Sequence, residues 1–248
     1  MTYLQLVNKV LTRLRETNVS SVEESEYSRL IGELVNDAKR LVEDAWQWST
    51  LIDWVSYETV QGQYNYSLNN ETDALTGVQG QSLHERARFR RNPETGEVLS
   101  FITYPVGRES KLIEFAIDRN FDQIASDISQ GVTGIPTHVG LQPIIPFVAG
   151  KINKNLVLWP TPSETGMITT TYFTNPQNDF TDDSEVMLVP HEPVVLNAYL
   201  NALYERGEEL GERMELIGQR AQASLTDAIQ HDMSLQGYKA LAFSPENV

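Results

Sequence analysis

The segment that decides the fold reads SVEESEYSRLIGELVNDAKRLVEDAWQW and covers residues 21–48. Its apolar side chains recur every three or four residues, the spacing of one helix face. Ser21 and Glu24 have the spacing of a capping box, so we expect a helix to begin there and to run for about five to six turns. Trp46 and Trp48 end the apolar face, and we expect them to pack this helix against a β-rich region. The apolar positions are Tyr27, Leu30, Ile31, Leu34, Val35, Ala38, Leu41, Val42 and Ala45.

A shorter amphipathic helix is predicted before this segment. Thr2 and Gln5 form a capping-box pair, and the apolar residues that follow have helical spacing. We expect this helix to end near Asn18, which leaves a connection short enough for a helical hairpin. Its apolar face is Tyr3, Leu6, Val7, Val10, Leu11 and Leu14.

A third helix is predicted near the C-terminus. Pro190 and Pro193 favour its first turn, where a missing N–H group has no partner to lose. The periodicity predicts one continuous helix to about Gln230, and Gly207, Gly211 and Gly218 beside its apolar face indicate close approach by another helix. The apolar face is Leu196, Tyr199, Leu203, Leu210, Met214, Ile217, Ala221, Leu225 and Ala228. The opposite face carries Glu205, Glu208, Glu209, Glu212 and Glu215.

Helical periodicity is absent from the middle of the chain. Residues 57–60 and 64–68 flank the turn Gln61-Gly62-Gln63 and predict a β-hairpin. Residues 69–81 are poor in apolar groups, which favours an exposed connection. Further strands are expected at residues 98–104, 111–117, 138–142, 155–159 and 167–173.

Together these patterns predict an α+β fold. We expect an antiparallel helix bundle, made of two N-terminal helices and one long C-terminal helix, with an inserted β-rich region and an extended C-terminal tail. The expected division is a bundle of residues 1–50 and 190–231, a β-rich region of residues 51–189 and a tail of residues 232–248.

The composition excludes several function classes. A chain of 248 residues without cysteine has no disulfide, zinc knuckle or thiol nucleophile. A net charge of −15 opposes tight wrapping of nucleic acid, although an acidic wall would let DNA slide through a channel without sticking. No apolar run approaches the about 18 residues of a membrane span, and residues 1–15 lack the apolar centre of a signal peptide. We therefore expect a soluble protein that is not exported.

The sequence offers no convincing catalytic, cofactor or metal site. His84, His138, His191 and His231 do not have the spacing of metal ligands, and the phosphate-binding and nucleophile motifs are absent. Acidic pairs such as Asp182 with Asp183, or Asp122 with Asp127, are common in a chain this acidic. The prediction is a protein that is not an enzyme and needs no cofactor.

One basic cluster stands out. Arg86, Arg88 and Arg90 alternate along a possible strand, so their guanidinium groups would share one face, with Arg91 beside them. Three interpretations remain open. The face is a solvated edge strand protected by charge, a contact to the DNA backbone, or a surface that pairs with the glutamates of a neighbouring subunit.

Several segments resemble bacteriophage head-to-tail connector, or adaptor, proteins. The segment NLVLWPTP at residues 155–162 is followed by TTTYF at residues 169–173 and by Asn175-Pro176. Members of that family also have a helix like residues 4–15, a helix like residues 30–48 that ends in Trp-x-Trp, and a closing Glu-rich helix like residues 194–230. Residues 134–137 match the family's Gly-x-Pro turn before a strand. Residues 69–97 depart from the smaller adaptors, so no role carries over to them.

The resemblance implies a homo-oligomeric ring of about twelve subunits below the portal, in the virion at the head–tail interface, made in the host cytoplasm. Its partners would be the portal protein and a tail or nozzle protein, and DNA would pass through without specific binding. The family's C-terminal segment binds the portal, which would assign that role to Leu235, Tyr238, Leu241 and Phe243. This part of the prediction does not come from the resemblance: in such a ring, the third interpretation of the basic cluster would place the subunit interface at Arg86, Arg88, Arg90, Glu205, Glu208, Glu209 and Glu212.

Three alternatives remain. A stopper or tail-completion protein would share the assembly class but would bind tail proteins on both sides. A hydrolase would require a concave acidic site. A carbohydrate-binding module would use Trp54, Tyr64 and Tyr66 as exposed aromatic residues.

Overall fold

The computed structural model describes residues 1–68, 79–80, 83–105, 107–115, 131–143, 154–207 and 212–237. The chain divides into two compact units. The helical unit comprises Met1–Leu51 and Gln177–Val248, and the β unit comprises Ile52–Pro176. The predicted α+β class is confirmed.

The described part of the helical unit contains four α-helices and two short 3₁₀ turns. The helices are α1 (Tyr3–Arg13), α2 (Glu26–Ala45), α3 (His191–Glu205) and α4 (Glu212–Leu235), and the 3₁₀ turns are Val22–Glu24 and Ser49–Leu51. Helix α2 packs on α3, α1 contacts both, and α4 packs on α3. Their apolar faces form one core, centred on fully buried residues such as Leu6, Val10, Ile31, Val35 and Val194.

Helix α1 begins where the sequence predicts and ends earlier. Thr2 and Gln5 form the expected capping box. The expected end near Asn18 is wrong, because Arg15 adopts a left-handed conformation with φ of 61° directly after the helix. The chain then folds back along α1, where the Asn8 side chain exchanges hydrogen bonds of 2.9 and 2.8 Å with the backbone of Val19.

Helix α2 begins later than predicted. Ser21 caps only the 3₁₀ turn, and the capping box of α2 is formed by Ser25 and Ser28. The predicted packing of the tryptophans against the β-rich region is also wrong. Trp48 is buried in the helical core and donates to the Val42 carbonyl at 2.7 Å, while Trp46 donates to Asp232.

The predicted single C-terminal helix is two helices. Helix α3 ends at Glu205, and Gly207 follows with φ of 65° and donates its N–H group to the Tyr204 carbonyl at 3.0 Å. Glycine adopts this left-handed conformation without the penalty of a Cβ atom, so it stops α3 there. The predicted apolar face is nevertheless correct for the described residues. Those residues are buried or half-buried: Leu196, Tyr199, Leu203, Met214, Ile217, Ala221, Leu225 and Ala228.

Residues 177–189, assigned to the β-rich region from sequence, pack within the helical unit. The Asn36 side chain exchanges hydrogen bonds of 3.1 and 2.9 Å with the backbone of Phe180. Lys39, fully buried, lies 3.6 Å from Glu43 and donates to the carbonyls of Gln177 and Asn178. Because a buried ammonium group needs such partners, these bonds fix the segment across α2.

The described part of the β unit contains twelve strands, several of them only two residues long. They are β1 (Ile52–Glu58), β2 (Asn65–Ser67), β3 (Gln79–Gly80), β4 (Arg88–Phe89), β5 (Ser100–Thr103), β6 (Glu109–Lys111), β7 (Ile113–Glu114), β8 (Thr133–Gly134), β9 (His138–Pro143), β10 (Lys154–Trp159), β11 (Thr161–Pro162) and β12 (Ile168–Thr174). The six-stranded sheet has the order β3-β1-β12-β5-β6, with β4 also paired to β12. The four-stranded sheet has the order β2-β10-β9-β7, and β8 pairs with β11.

Both sheets contribute side chains to one core. Val55, Ile102 and Phe173 come from the six-stranded sheet, and Leu156 and Leu158 come from the four-stranded sheet. This arrangement buries one face of each sheet and leaves the other face of the six-stranded sheet available for contacts.

The predicted hairpin of residues 57–60 and 64–68 is wrong. Strand β1 pairs with β12 and β3, whereas β2 pairs with β10 in the other sheet. The rings of Tyr57 and Tyr66 stack with centroids 4.4 Å apart, and both side chains are buried. With the two strands in different sheets, these rings meet face to face inside the core, and their burial contributes to the stability of the β unit.

The other strand predictions are largely confirmed. Strands β9, β10 and β12 match the predicted segments to within one residue at each end. The segment predicted at 98–104 contains β5, and the segment predicted at 111–117 is divided between β6 and β7, with residues 116–117 outside the described part.

Candidate interaction surfaces

The outer face of the six-stranded sheet is the first candidate surface. Along β1, side chains alternate between the core and the outside, and Trp54 points outward with 48% of its surface exposed. Trp54 is directly opposite Tyr172 on β12, and Ser56 is opposite Thr170, with their hydroxyl groups 3.2 Å apart. On the other side of β12, Thr170 is opposite Phe101. The face is therefore a strip of aromatic side chains separated by small hydroxyl residues.

The arginine cluster continues this face. Ala87 and Phe89 are buried, while Arg86, Arg88 and Arg90 are half-buried, so the predicted alternation is present. The regular strand is shorter than expected, because within this cluster only Arg88 and Phe89 form strand β4, which pairs with β12. Arg88 is opposite Thr174, and the Arg90 N–H group donates to the Tyr172 carbonyl at 2.9 Å.

Arg91, next to this cluster, has an acidic partner and a backbone partner. Its guanidinium group lies 2.6 Å from Glu114, and it also donates to the Gly96 carbonyl at 3.1 Å. Lys111 forms an ion pair with Glu97 nearby, which lowers the pKa of that carboxyl group. The two ion pairs line an open hollow of about 240 Å³ beside β6 and β7.

The second candidate surface is the glutamate-rich junction, defined as residues 205–215, from the last residue of α3 to the first turn of α4. Glu205 and Glu215 are exposed. Glu208 and Glu209 lie outside the described residues, and Glu212 begins α4 with a side chain that is also outside them. Arg206 holds the start of the junction, because it donates to the Tyr27 hydroxyl at 2.7 Å and to Glu16 at 2.5 Å.

The third candidate surface is the end of α4, where the C-terminal tail leaves the helical unit. Asp232 is 7% exposed and accepts hydrogen bonds from the Trp46 indole, from the Ser49 N–H and hydroxyl groups, and from Gln236. Gln236 also donates to the Gln47 carbonyl at 3.0 Å. These bonds tie the end of the last helix to the end of α2.

The tail begins directly after this anchor. Leu235 is 68% exposed, and Gly237 has φ of 77°, which ends the helix. Tyr238, Leu241 and Phe243 lie outside the described residues. Of the four predicted portal-binding residues, Leu235 alone has a described position, and it projects into solvent.

Comparison with known proteins assigns the family. The profile described as SU10 adaptor protein matches residues 1–242. The chain belongs to the SU10 adaptor protein family. This is a phage head-to-tail adaptor family, so the predicted resemblance is confirmed. Among curated proteins, no significant match to the chain was found.

Membership in the SU10 adaptor family gives the general role of the chain. The family implies a bacteriophage structural protein of the virion that interacts with portal and tail components, and it is not known for enzymatic activity. The match includes both compact units and extends to residue 242, within the predicted tail. In the described residues, no helix is both long and apolar enough to cross a membrane.

Within the described residues of this SU10 family member, the acidic and histidine side chains that the sequence offered as catalytic or metal-binding candidates have structural partners. Asp182 accepts two hydrogen bonds from Ser184, and these bonds lower the pKa of Asp182. Asp183 accepts a hydrogen bond of 3.1 Å from the backbone N–H group of Val22. His138 packs edge-on against Trp159 at 5.1 Å, and burial lowers its pKa. Asp122 and Asp127 lie outside the described residues. No group of three or more acidic or histidine side chains in the described ranges is placed to hold a metal ion.

The three aromatic residues considered for carbohydrate binding are not brought together on one exposed surface. Trp54 is exposed on the six-stranded sheet, whereas Tyr66 is fully buried and Tyr64 is half-buried against the other sheet. The hypothesis that these three residues together form one carbohydrate-binding surface is therefore wrong.

Two features of this adaptor were missed from sequence. The first is the pairing of Trp54 with Tyr172, which lie more than a hundred positions apart in the sequence. The sequence contained one signal for it, because the alternation of residues along β1 places a tryptophan on the outward side of the strand. Asp232 was assigned to the tail, although the helical spacing of Ala228, Asp232 and Gln236 could have extended the helix.

Proposed function

We propose that this SU10 adaptor forms a ring of about twelve subunits that joins the portal to the tail and surrounds the path of the exiting DNA. The observation that carries the proposal is the family match over residues 1–242. Its partners are the portal protein on one side and a tail or nozzle protein on the other. The chain acts by assembly and needs no cofactor.

The acidity of the chain supports a DNA channel. The formal charge is −15 per subunit, from 34 acidic and 19 basic residues. A wall of this sign repels the DNA backbone, so the genome passes without being held. The proposal therefore assigns the interior of the ring a passive role.

The C-terminal tail is the proposed portal-binding segment. Asp232 anchors its starting point, Leu235 is exposed, and the tail continues with Tyr238, Leu241 and Phe243. Burial of four large apolar side chains on a partner would contribute on the order of 6 to 10 kcal/mol before the cost of ordering the tail. Ordering the tail opposes this gain, so removal of these side chains should abolish the net contribution of the tail to portal binding.

The proposed subunit interface pairs unlike surfaces. Arg86, Arg88 and Arg90 of one subunit would face the glutamate-rich junction of its neighbour. The glutamates involved are Glu205, Glu208, Glu209 and Glu212. Guanidinium–carboxylate pairs of this kind give orientation as well as attraction.

Binding to purified portal separates the proposal from its alternative within the assembly class. An adaptor binds portal alone, whereas a stopper or tail-completion protein binds tail proteins on both sides and ignores an isolated portal. The test is a pull-down in which the full chain is offered portal and tail proteins separately. Retention on portal supports the adaptor, and retention on tail proteins alone contradicts it.

A further inference from the structure

The outer face of the six-stranded sheet has a composition that solvent alone does not explain. An exposed sheet face is usually polar, yet Trp54 and Ile168 expose 48% and 50% of their surfaces. Phe101 and Tyr172 are half-buried on the same face. These four residues are named the apolar sheet face. Clustered apolar side chains of this size mark an interaction surface.

The strand register places small side chains between the large ones. Trp54 is opposite Tyr172 in one row, and Ser56 is opposite Thr170 in the next. The hydroxyl groups of Ser56 and Thr170 are 3.2 Å apart, so they are hydrogen-bonded to each other. Ile168 lies in the third row. Residues on one side of a strand recur about every 7 Å, so the three rows extend about 13 Å along the sheet.

Two carboxylates border the apolar sheet face at its third row. Glu58 is directly opposite Ile168, and Thr103, on the other side of Ile168, is opposite Glu109. Both glutamates are exposed, and within the described residues neither forms an ion pair. The strands that carry them are three spacings apart, which is about 14 Å. The apolar surface therefore ends beside two negative charges that have no counter-charge among the described residues.

We propose that the apolar sheet face binds an amphipathic helix of a tail protein. The apolar side of that helix covers the four residues of the face, and its Lys or Arg side chains lie beside Glu58 and Glu109. The inference rests on the proposed function, in which a tail protein is one of the partners. It adds the surface and the chemistry of that contact.

The size of the face favours a single helix as the occupant. Four strands span about 14 Å and three rows extend about 13 Å, so the face covers roughly 200 Å². A specific contact between two globular surfaces buries about 800 Å² on each partner. A helix is about 10 Å across, and three of its turns are about 16 Å long, so one amphipathic helix matches the face.

Charge favours a basic partner over DNA or a second copy of the chain. Glu58 and Glu109 would repel phosphate groups. A second copy has the same net charge of −15, from 34 acidic and 19 basic residues. A helix with Lys or Arg near its end forms ion pairs with the carboxylates while its apolar side covers Trp54 and Ile168.

The two compact units separate the two proposed partners. Portal binding is assigned to the C-terminal segment, which leaves the helical unit after Asp232. The apolar sheet face belongs to the β unit, Ile52–Pro176. Because the two surfaces share no residue, the face is available to the second partner, the tail protein.

Photo-crosslinking tests this inference on the full-length chain, which is offered purified tail protein, purified portal and duplex DNA in turn. A benzoyl-phenylalanine residue is placed at position 54, and a matched control carries it at position 135. Ile135 has nearly the same exposure, 49%, in the same unit but outside the strands. The expected product joins position 54 to a tail-protein peptide with apolar residues at helical spacing and a Lys or Arg. It should be at least tenfold more abundant than any such product from position 135.

Other products would overturn the inference. A crosslink from position 54 to portal, to DNA or to a second copy identifies a different occupant, and equal yields from positions 54 and 135 remove any role for the face. If the chain still binds portal in a pull-down, the proposed function stands while this inference fails. If the chain binds neither portal nor tail protein, both fail.

Substitutions on the face provide a second readout. Trp54→Ser should reduce binding to tail protein at least tenfold and leave binding to portal within twofold, whereas the control Ile135→Ser should leave both within twofold. Glu109→Lys should reduce binding to tail protein at least threefold. Glu94→Lys makes the same change of charge at an exposed position of the same unit and should leave this binding within twofold. Equal effects of a variant and its control would overturn the inference.

Discussion

The indole Nε1 of Trp46 donates a hydrogen bond of 2.8 Å to the Oδ2 atom of Asp232, and this bond joins two helix ends 186 positions apart in sequence. The same carboxylate accepts the Ser49 hydroxyl group at 2.5 Å. The end of α2 is thereby fixed to the end of α4, so the tail leaves the helical unit at a defined point.

Loss of this carboxylate should destabilise the helical unit. Asp232→Ala leaves the indole and the Ser49 groups without their charged acceptor in a largely buried place, so we expect a loss of about 2 to 4 kcal/mol in the free energy of unfolding. Asp227 is exposed on the same helix, and Asp227→Ala should change it by less than about 0.5 kcal/mol. Chemical denaturation measures both, and equal effects would show that the Asp232 bonds contribute little.

Removal of residues 238–248 should separate binding from stability. The truncated chain keeps Asp232, Met233 and Gly237, so its melting temperature should remain within about 2 °C of the full chain. Portal binding should be lost, because Tyr238, Leu241 and Phe243 are gone. Thermal unfolding and a portal pull-down measure the two quantities.

Truncation from residue 232 serves as the contrast. It also removes Asp232 and the fully buried Met233, so it should lower the melting temperature as well as abolish binding. If the chain that lacks only residues 238–248 melts at a lower temperature and still binds portal, the tail belongs to the core of its own subunit.

Local signals predicted much of the helical unit. The capping box of Thr2 and Gln5 depends on residues three apart, and it is present as predicted. The same pattern at Ser21 and Glu24 failed because Ser25 and Ser28 form a competing box one turn later. Gly207 was read as a site of helix contact, although its freedom to adopt positive φ ends α3 there.

Pairing of strands depends on distant residues and was less predictable. The alternation of apolar and polar residues predicted the positions of β9, β10 and β12 in the sequence. It did not predict which strands lie next to each other in a sheet. The pairing of Trp54 with Tyr172 and the stacking of Tyr57 on Tyr66 follow from burial of a shared core, which no short window of sequence contains. The outer face of the six-stranded sheet was therefore predicted only in its arginine part, and the exposed Trp54 was not predicted to share it.

Reversal of two arginine charges should affect assembly more than folding. Arg88→Glu with Arg90→Glu removes attraction to an acidic neighbour, while the buried Ala87 and Phe89 remain in the core. We expect a loss of assembly on portal, with a change of about 1 kcal/mol or less in the free energy of unfolding. Arg108 is exposed in the same unit, and Arg108→Glu is the control. If both variants assemble normally, the arginines act only as a solvated surface.

The isolated chain should be monomeric or weakly associated. Each copy carries a charge of −15, so about twelve copies repel one another unless binding to portal compensates for that repulsion. Mass photometry at low salt should show single chains, and addition of portal should yield large complexes. A stable large ring without portal would refute this prediction.

Acid should weaken the link between α1 and α3. Burial acts to raise the pKa of Glu192, but the hydrogen bond from Arg13 and the charge of Lys9 outweigh it and hold the pKa below its ordinary value of 4.5. The folded state thus favours the carboxylate, and this stabilisation is present above pH 4.5 and is lost as the pH falls through the folded pKa.

Glu192→Gln should therefore lower the free energy of unfolding by about 0.5 kcal/mol at neutral pH, and this cost should shrink as the pH falls below 4.5 and through the folded pKa. Glu33 is exposed on α2, and Glu33→Gln is the matched control. Thermal unfolding across this pH range measures the difference. A cost for Glu192→Gln that does not change with pH would contradict the assignment to these ion pairs.

Electron microscopy of the chain mixed with purified portal tests the central claim most directly. The proposed adaptor role predicts a closed ring of about twelve copies on one end of the portal, coaxial with its channel. Portal particles that carry no added density, or that carry single copies without rotational symmetry, would contradict it.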